Sequence, residues 1–488
     1  MKTLDRELLA QGITSIEAGI TQELPVKVLQ FGEGNFLRAF VDYMIDELNT
    51  ANLFNGGITV VQPIEQGLAD LVNQQDGLYT IILRGLENGS EVVRKKIITS
   101  IKNCINPYKN FEEYFEQVKN PDLRFIISNT TEAGITYKEG DKLTDKPQVS
   151  FPAKITALLY ERYRLFSGDT TKGFIFMPCE LIDNNGDKLK EIVLQYAKEW
   201  ELEEKFVDWI ENSNYFTNTL VDRIVTGYPR DEVQQLQKEL GYVDNLLNTA
   251  EIFHFFVIEA PKKIAAEIPF EKAGLNVVWT DDATPYKSRK VRILNGGHTM
   301  SVLAAYLCGK ETVGEMMDDS LFIDYLKKGI FDEIIPTLDL DYADLKSFAD
   351  SVFDRFANPY IKHYLLSIAL NSVSKYKTRV LPSILEYYKR KNELPKVLTT
   401  SFAALIAFYS GKNHKTGKEH ELQDDAEVLE FFKTQWASNN IEEVVKNTCA
   451  NISFWGEDLN KLAGFTNEVT NILKGIVENG MEETLKKL

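Results

Sequence analysis

Short apolar runs alternate with longer amphipathic stretches through the first half of the chain. Val26–Phe31, Ile58–Val61, Leu78–Leu83, Arg124–Ser128 and Gly173–Met177 are rich in β-branched or aromatic residues and bounded by Gly, Pro, Asn or Asp, which predicts strands. Strands alternating with helical stretches predict an α/β domain with a largely parallel sheet. The pattern changes after about Thr284. Leu321, Phe322, Tyr325 and Leu326 recur at helical spacing, as do Ile361, Leu365 and Ile368, with Asp, Glu and Lys between them. Helix follows helix to Leu488. The break at Asp281–Pro285 predicts an α/β domain over 1–283 and an all-α domain over 284–488, with the cleft between them a favoured place for a ligand.

Composition narrows the function classes. The chain has 488 residues, 44% of them hydrophobic, and a formal net charge of −17. That is enough apolar material for large cores, and it excludes a disordered chain or a small disulfide scaffold. The acidity argues against nucleic acid, whose phosphates need a basic footprint, but a few local cations suffice for a small anionic substrate. The four cysteines are far apart and form no metal or redox motif, which predicts reduced thiols in a cytoplasmic protein. The N-terminus has no apolar h-region, and the longest clean apolar run, Phe402–Tyr409, is far too short to cross a membrane.

Two stretches carry chemistry. The first strand runs directly into Gly32-Glu33-Gly34-Asn35-Phe36-Leu37-Arg38-Ala39. Gly32 permits a tight turn, Gly34 lets the backbone approach a pyrophosphate, and a helix N-terminus attracts its charge. This makes Gly32, Gly34, Asn35 and Phe36 candidates for dinucleotide binding, although Leu37 stands where the usual fingerprint has its third glycine and an ordinary strand-to-helix turn would explain the same residues. The second strand ends in Gln62-Pro63-Ile64-Glu65, without a cation for a 2′-phosphate, which favours NAD over NADP. The second stretch is Lys290-Val291-Arg292-Ile293-Leu294-Asn295-Gly296-Gly297-His298. At about 100° per residue, Lys290, Asn295 and His298 share an arc of roughly 140° on one helix. Hydride reaching a carbonyl carbon leaves an alkoxide, which needs a proton and hydrogen-bond donors. A solvated lysine, a helix-breaking Asn-Gly-Gly and a core histidine would explain the same residues, but two glycines inside a helix cost roughly 2 kcal/mol against alanine, and that cost needs a reason such as close backbone approach.

In order along the chain, Gly32–Ala39, Gln75-Asp76-Gly77-Leu78-Tyr79, Phe216–Ile224 with its Val221-Asp222-Arg223, the K-x4-N-x2-H spacing of Lys290, Asn295 and His298, and Arg355-Phe356-Ala357-Asn358-Pro359 together resemble the mannitol dehydrogenase family of polyol-specific long-chain dehydrogenases. Leu29–Arg38, Pro178–Leu181 and Ile293–Thr299 are most similar to its members that act on hexuronates. The resemblance implies a Rossmann-type N-terminal domain, a helical C-terminal domain, and a metal-independent, NAD-linked interconversion of a keto sugar acid and its alcohol. It implies that Lys290 is the acid/base, that Asn295 polarises the oxyanion, that His298 orients the substrate and that Arg355 touches it. Where mannitol-type members carry a second oxyanion asparagine, this chain has Leu181; Asn184 and Asn185 stand nearby. A fructuronate or neutral polyol substrate, and a non-catalytic NAD-binding regulator, remain open.

Other residues keep two readings. Asn129, Thr130 and Glu132 follow a predicted strand, as nicotinamide-side contacts or as a plain loop. Asp222 and Arg223 are a substrate-binding pair or a structural ion pair. A sugar carboxylate calls for a fixed cation, with Arg223, Arg355, Lys377 and Arg379 as candidates. His363, on a predicted helix after Asn358-Pro359, is a further substrate contact. His414 and His420 lie in a charged loop and are expected to face solvent.

Overall fold

The computed structural model describes residues 1–12, 14–131, 133–438 and 440–488. They form two compact units, Met1–Arg84 with Glu91–Ala283, and Gly85–Ser90 with Thr284–Leu488.

The first unit is built on a six-stranded, all-parallel sheet. Across it the strands run Ile101–Ile105, Gly57–Val61, Val26–Phe31, Phe125–Ser128, Ile175–Pro178 and Tyr215–Phe216. Numbered along the chain this is the order 3-2-1-4-5-6 of a Rossmann-type sheet, whose direction reverses between the first and fourth strands. The strands are largely apolar because both faces of the sheet are covered. Val28, Val60, Ile127 and Met177 enter one core, while Leu29, Phe31, Val61, Ile126 and Phe176 enter another. A five-stranded mixed sheet and a three-stranded sheet complete the unit. Tyr79–Glu87 and Ser90–Ile98 lie beside each other in the five-stranded sheet. Between them Asn88 (φ 53°) and Gly89 (φ 74°) make the left-handed pair of a tight hairpin turn.

The second unit is helical. Its centre is Lys396–Phe408, buried at every position from Val397 to Phe408, as expected of a helix that is apolar all round. The buried Glu333 caps it, its carboxylate accepting from the Val397 and Leu398 amides at 2.9 Å each, and burial pushes that carboxyl up to about 7. The hairpin tip groups with this unit: the Asn88 and Gly89 amides donate to the Asp354 carboxylate at 2.9 and 3.1 Å. An unbroken 1–283 domain is therefore corrected by six residues.

Three further expectations change. Ile361 and His363 lie outside the helices, and only Leu365–Ile368 forms a turn there, because the Val313 amide takes the His363 carbonyl in a non-helical pairing. His414 and His420 are half-buried rather than solvent-facing. The first packs on Trp436 at 5.2 Å between ring centroids and the second stacks on Phe408 at 4.5 Å. All four cysteines are free, three of them buried. Among the described residues no helix is long and apolar enough to cross a membrane.

Candidate active site

In the first unit the turn after Val26–Phe31 opens at the reversal of strand order. Gly32 has φ +121°, and a Cβ there would lie 3.0 Å from the Asn129 carbonyl oxygen on the neighbouring strand end, so only glycine fits. Gly34 (φ −69°) caps the next turn with no heavy atom within 4 Å of a would-be Cβ. The helix that follows is a single turn, Asn35–Arg38, before the chain re-forms as Val41–Thr50. The helix N-terminus expected after Gly34 is thus that of a single turn. Phe36 stacks on Phe40 at 5.0 Å, and the Asn35 side-chain oxygen accepts from Arg38 at 2.6 Å.

Arg38 is the residue that sequence reasoning missed. It is 2% exposed. Its guanidinium donates to the carbonyl of Glu33, between the two glycines, and to the Leu246 carbonyl, and it lies over the Tyr79 ring at 5.1 Å. The turn holds its shape through that internal clamp. Its place in the quoted Gly32–Ala39 motif was the available signal.

The loop after Phe125–Ser128 is tied down from the next strand. Asn129 donates its amide to the Cys179 carbonyl at 2.9 Å, and the Thr130 amide and hydroxyl both donate to Glu180 at 2.9 Å. Ser128 donates to the other Glu180 oxygen at 3.0 Å. Burial pushes the Glu180 carboxyl up against the pull of these donors. Asn129 and Thr130 therefore border the crevice with their donors used internally, while Glu132 lies outside the described residues. At the end of the second strand, Gln62 folds its own loop by donating to the Ile64 and Glu65 carbonyls at 2.8 and 2.9 Å.

Arg223 is held by the scaffold, as in the second of the two readings given for it above. Its Nε, Nη1 and Nη2 donate to the carbonyls of Glu251, Ala39 and Ile252 at 2.9, 2.8 and 3.4 Å. Asp222 is buried at the end of Asn218–Asp222, in register with Phe255. Asn185 is likewise consumed: its amide donates to the Pro178 and Glu180 carbonyls at 2.9 and 3.1 Å, and its oxygen accepts from the Thr219 amide at 2.9 Å. It does not replace the asparagine missing at Leu181. Asn184 is exposed in a left-handed conformation.

In the second unit the Lys-Asn-His stretch forms one continuous helix, with a widened centre. Thr284–Arg289 is α-helical, Lys290–Asn295 is π-helical, and Gly296–Leu307 returns to α. Hydrogen bonds of i→i+5 type carry Asn295 round to nearly the face of Lys290, closer than an α-helix would. The glycines pack rather than break. A Cβ on Gly296 would stand 3.0 Å from the Arg379 carbonyl, and one on Gly297 would stand 3.4 Å from Ile330 and 3.6 Å from the Phe356 ring. Arg292 anchors the outer side, donating to Ser383 at 2.6 Å and Thr337 at 3.0 Å.

His298 stacks on Phe356 at 3.9 Å and meets His363 edge-on at 5.4 Å. Burial pushes its imidazole well below the usual range, and His363, Arg355 and Arg379 push it the same way, so it is neutral. Its Nδ1 is buried without a hydrogen-bond partner among the described residues. Lys290 and Asn295 are both half-buried. The fixed charges acting on His298 are the Arg355 and Arg379 guanidiniums, in a chain whose net charge is −17. Among the described residues no three His, Cys, Asp or Glu side chains cluster as a metal would need.

Fold and site together define an oxidoreductase of the dinucleotide-binding α/β class. Sequence models of the mannitol dehydrogenase Rossmann domain and C-terminal domain match residues 26–272 and 282–477. The chain belongs to the mannitol dehydrogenase family. It is 49% identical over 472 residues to an altronate oxidoreductase of Escherichia coli, covering 96% of this chain and 97% of the relative, and equally to one of Shigella flexneri. Among solved structures, a substrate-free D-sorbitol dehydrogenase overlays with TM-score 0.83 at 22% identity over 99% of this chain and 100% of that one. The Pseudomonas fluorescens mannitol 2-dehydrogenase, solved as a ternary complex with NAD and D-mannitol, gives 0.68 at 22% over 100% and 99%. At that identity both speak to the fold.

Proposed function

We propose that the protein is an NAD-dependent reductase interconverting D-tagaturonate and D-altronate, with Lys290 as acid/base. The observation that carries the reading is Lys290 and Asn295 on one widened helical turn, next to a neutral His298 on which the Arg355 and Arg379 guanidiniums act. The altronate oxidoreductases at 49% identity support this choice of substrate.

The first unit fits a dinucleotide. Gly32 accepts a backbone conformation and an approach that a side chain would block, and Gly34 leaves open space above the backbone. The Gly32–Phe36 turn would hold the pyrophosphate, with Asn129 and Thr130 bordering the same crevice. When bound, the nicotinamide supplies a hydride to the substrate's carbonyl carbon.

The rest is the work of the chain. The Lys290 ammonium donates a hydrogen bond to the carbonyl oxygen and gives up its proton as that oxygen becomes an alkoxide. The Asn295 amide donates to the same oxygen and stabilises the developing charge. His298, neutral and with an orphaned Nδ1, takes a substrate hydroxyl, while Arg355 and His363 surround it. In the oxidative direction Lys290, as the amine, takes the proton back. The reading includes independence from metal ions, and activity lost on chelation and restored by a divalent cation would overturn that part. Four free cysteines support a cytoplasmic location, and the charge of −17 supports the absence of a nucleic-acid partner.

The test follows NADH oxidation with D-tagaturonate, D-fructuronate, D-fructose and, in reverse, D-mannitol. Wild type should prefer D-tagaturonate, and Lys290→Ala should lose about 10²–10⁴-fold in kcat, the range of general acid–base catalysis. Equal turnover by the variant removes Lys290 from the role. NADH binding without turnover of any substrate would make the protein a regulator.

A further inference from the structure

Resting on that reading, we propose that Arg379 is the carboxylate receptor of the site, the residue that makes this protein select sugar acids over neutral sugars. Four cations could have met the carboxylate, and the structure separates them. The Arg223 guanidinium is consumed by three backbone carbonyls. Lys377 reaches the Ser453 carbonyl at 3.5 Å, and two residues along a helix from Arg379 it points roughly 200° away. Arg355 is only 7% exposed. Arg379 is half-buried, and among the described residues its only hydrogen bond is a long one, from Nη1 to the Thr299 hydroxyl at 3.4 Å.

A guanidinium carries five donors in a rigid fork. Taking one out of water and leaving its donors unfilled is costly. Burial accordingly lowers its pKa, and no carboxylate compensates. A bound carboxylate, met fork to fork, supplies the missing partner. The position suits that task. Arg379 closes the helix Ser372–Arg379, and its own carbonyl is the atom that Gly296 must be a glycine to approach. Its backbone thus packs on the helix at Gly296, its guanidinium reaches Thr299, the residue after His298, and its charge acts on His298. One turn earlier, Lys375 is anchored by its Nζ to the Ile368 carbonyl at 2.9 Å and lies close enough to feel the Arg379 charge. The plainer role of a cation at a helix C-terminus would not distinguish one substrate from another.

The experiment measures kcat and KM of the full chain for D-tagaturonate and D-fructose with saturating NADH, in wild type, Arg379→Met, Arg379→Lys and Lys377→Met. Arg379→Met should raise KM for D-tagaturonate about 100-fold, the loss expected when one partner of a desolvated charge pair is truncated. Its kcat/KM for D-fructose should stay near wild type, so the ratio of the two collapses. Arg379→Lys, which keeps the charge but not the fork, should fall between, and Lys377→Met should match wild type. An unchanged ratio, or equal losses on both substrates, overturns the proposal. Should Arg379→Met fail to fold, or D-fructose turn over too slowly, Arg379→Lys on D-tagaturonate decides: KM rises with kcat little changed, or the proposal fails. A wild type that prefers D-fructose refutes the substrate reading instead.

Discussion

The two glycines of the first turn are predicted to fail in opposite ways. Alanine at 32 must adopt φ +121° and place its Cβ 3.0 Å from the Asn129 carbonyl and 3.3 Å from Leu37. Strain at such a conformation costs about 1–3 kcal/mol, and the close contact puts Gly32→Ala at the upper end of that range. A loss of that size should lower the unfolding midpoint by about 5 °C or more for a unit this large. Alanine at 34 keeps an ordinary φ of −69° and meets no atom within 4 Å. Stability should hold or rise by about 0.5 kcal/mol, while the added methyl occupies the room a pyrophosphate needs. Losing one charge-assisted hydrogen bond there, about 1.5–3 kcal/mol, should weaken NADH binding about 10- to 100-fold. Thermal unfolding without cofactor and titration of NADH fluorescence read the two effects separately. Wild-type affinity in Gly34→Ala, or wild-type stability in Gly32→Ala, would refute the account of this turn.

Arg38→Met strips donors from the Glu33 and Leu246 carbonyls and from Asn35. It should cost about 3 kcal/mol, seen as a lower urea midpoint with NADH binding weakened in parallel. His254 is half-buried near Arg223; desolvation and the Arg223 charge push it down to about 3, and its Nε2 accepts from the Asn276 amide at 3.0 Å. Its folded value lies below the unfolded one, so acid favours the unfolded chain, and stability falls as pH drops below about 6.5, by about 2 kcal/mol for this group at pH 5. His254→Gln should flatten the acid limb of the stability curve measured by denaturant titration, and an unchanged limb removes His254 from it.

The parallel sheet was readable because its strands are covered on both sides. Val26–Phe31 is a β-branched and apolar run, interrupted by Lys27 and Gln30 and followed by glycine, and the structure gives it the same bounds. Ser90–Ile98 was not read as a strand, since most of its first six residues face solvent and three of them, Glu91, Arg94 and Lys95, carry charge. Its hairpin turn at Asn88-Gly89 went unread with it. The π-helical centre at Lys290–Asn295 was not legible, because six residues are too few to tell one helical period from another, and Gly296-Gly297 reads locally as a break. What keeps it helical is Arg379 and Phe356, packed against the glycines from more than 50 positions later in the chain. The grouping of Lys290, Asn295 and His298 was visible from spacing alone. The difference between Arg223 and Arg379 was not, because it lies in the three backbone carbonyls that the Arg223 guanidinium meets and the single long bond to the Thr299 hydroxyl that Arg379 makes.

The hairpin tip held by Asp354 has a consequence for the order in which the chain is made. Asn88 precedes its acceptor by 266 residues, so at roughly 5–20 residues per second the tip leaves the ribosome tens of seconds before its partner exists. The sheet beneath it can form early, but this turn waits. Nor is the second unit a continuous piece of polypeptide. A fragment starting at residue 284 would carry the Asp354 carboxylate without the two amides that hold it, and supplying 85–90 in trans would have to pay the closure entropy that the intact chain meets through its own covalent thread.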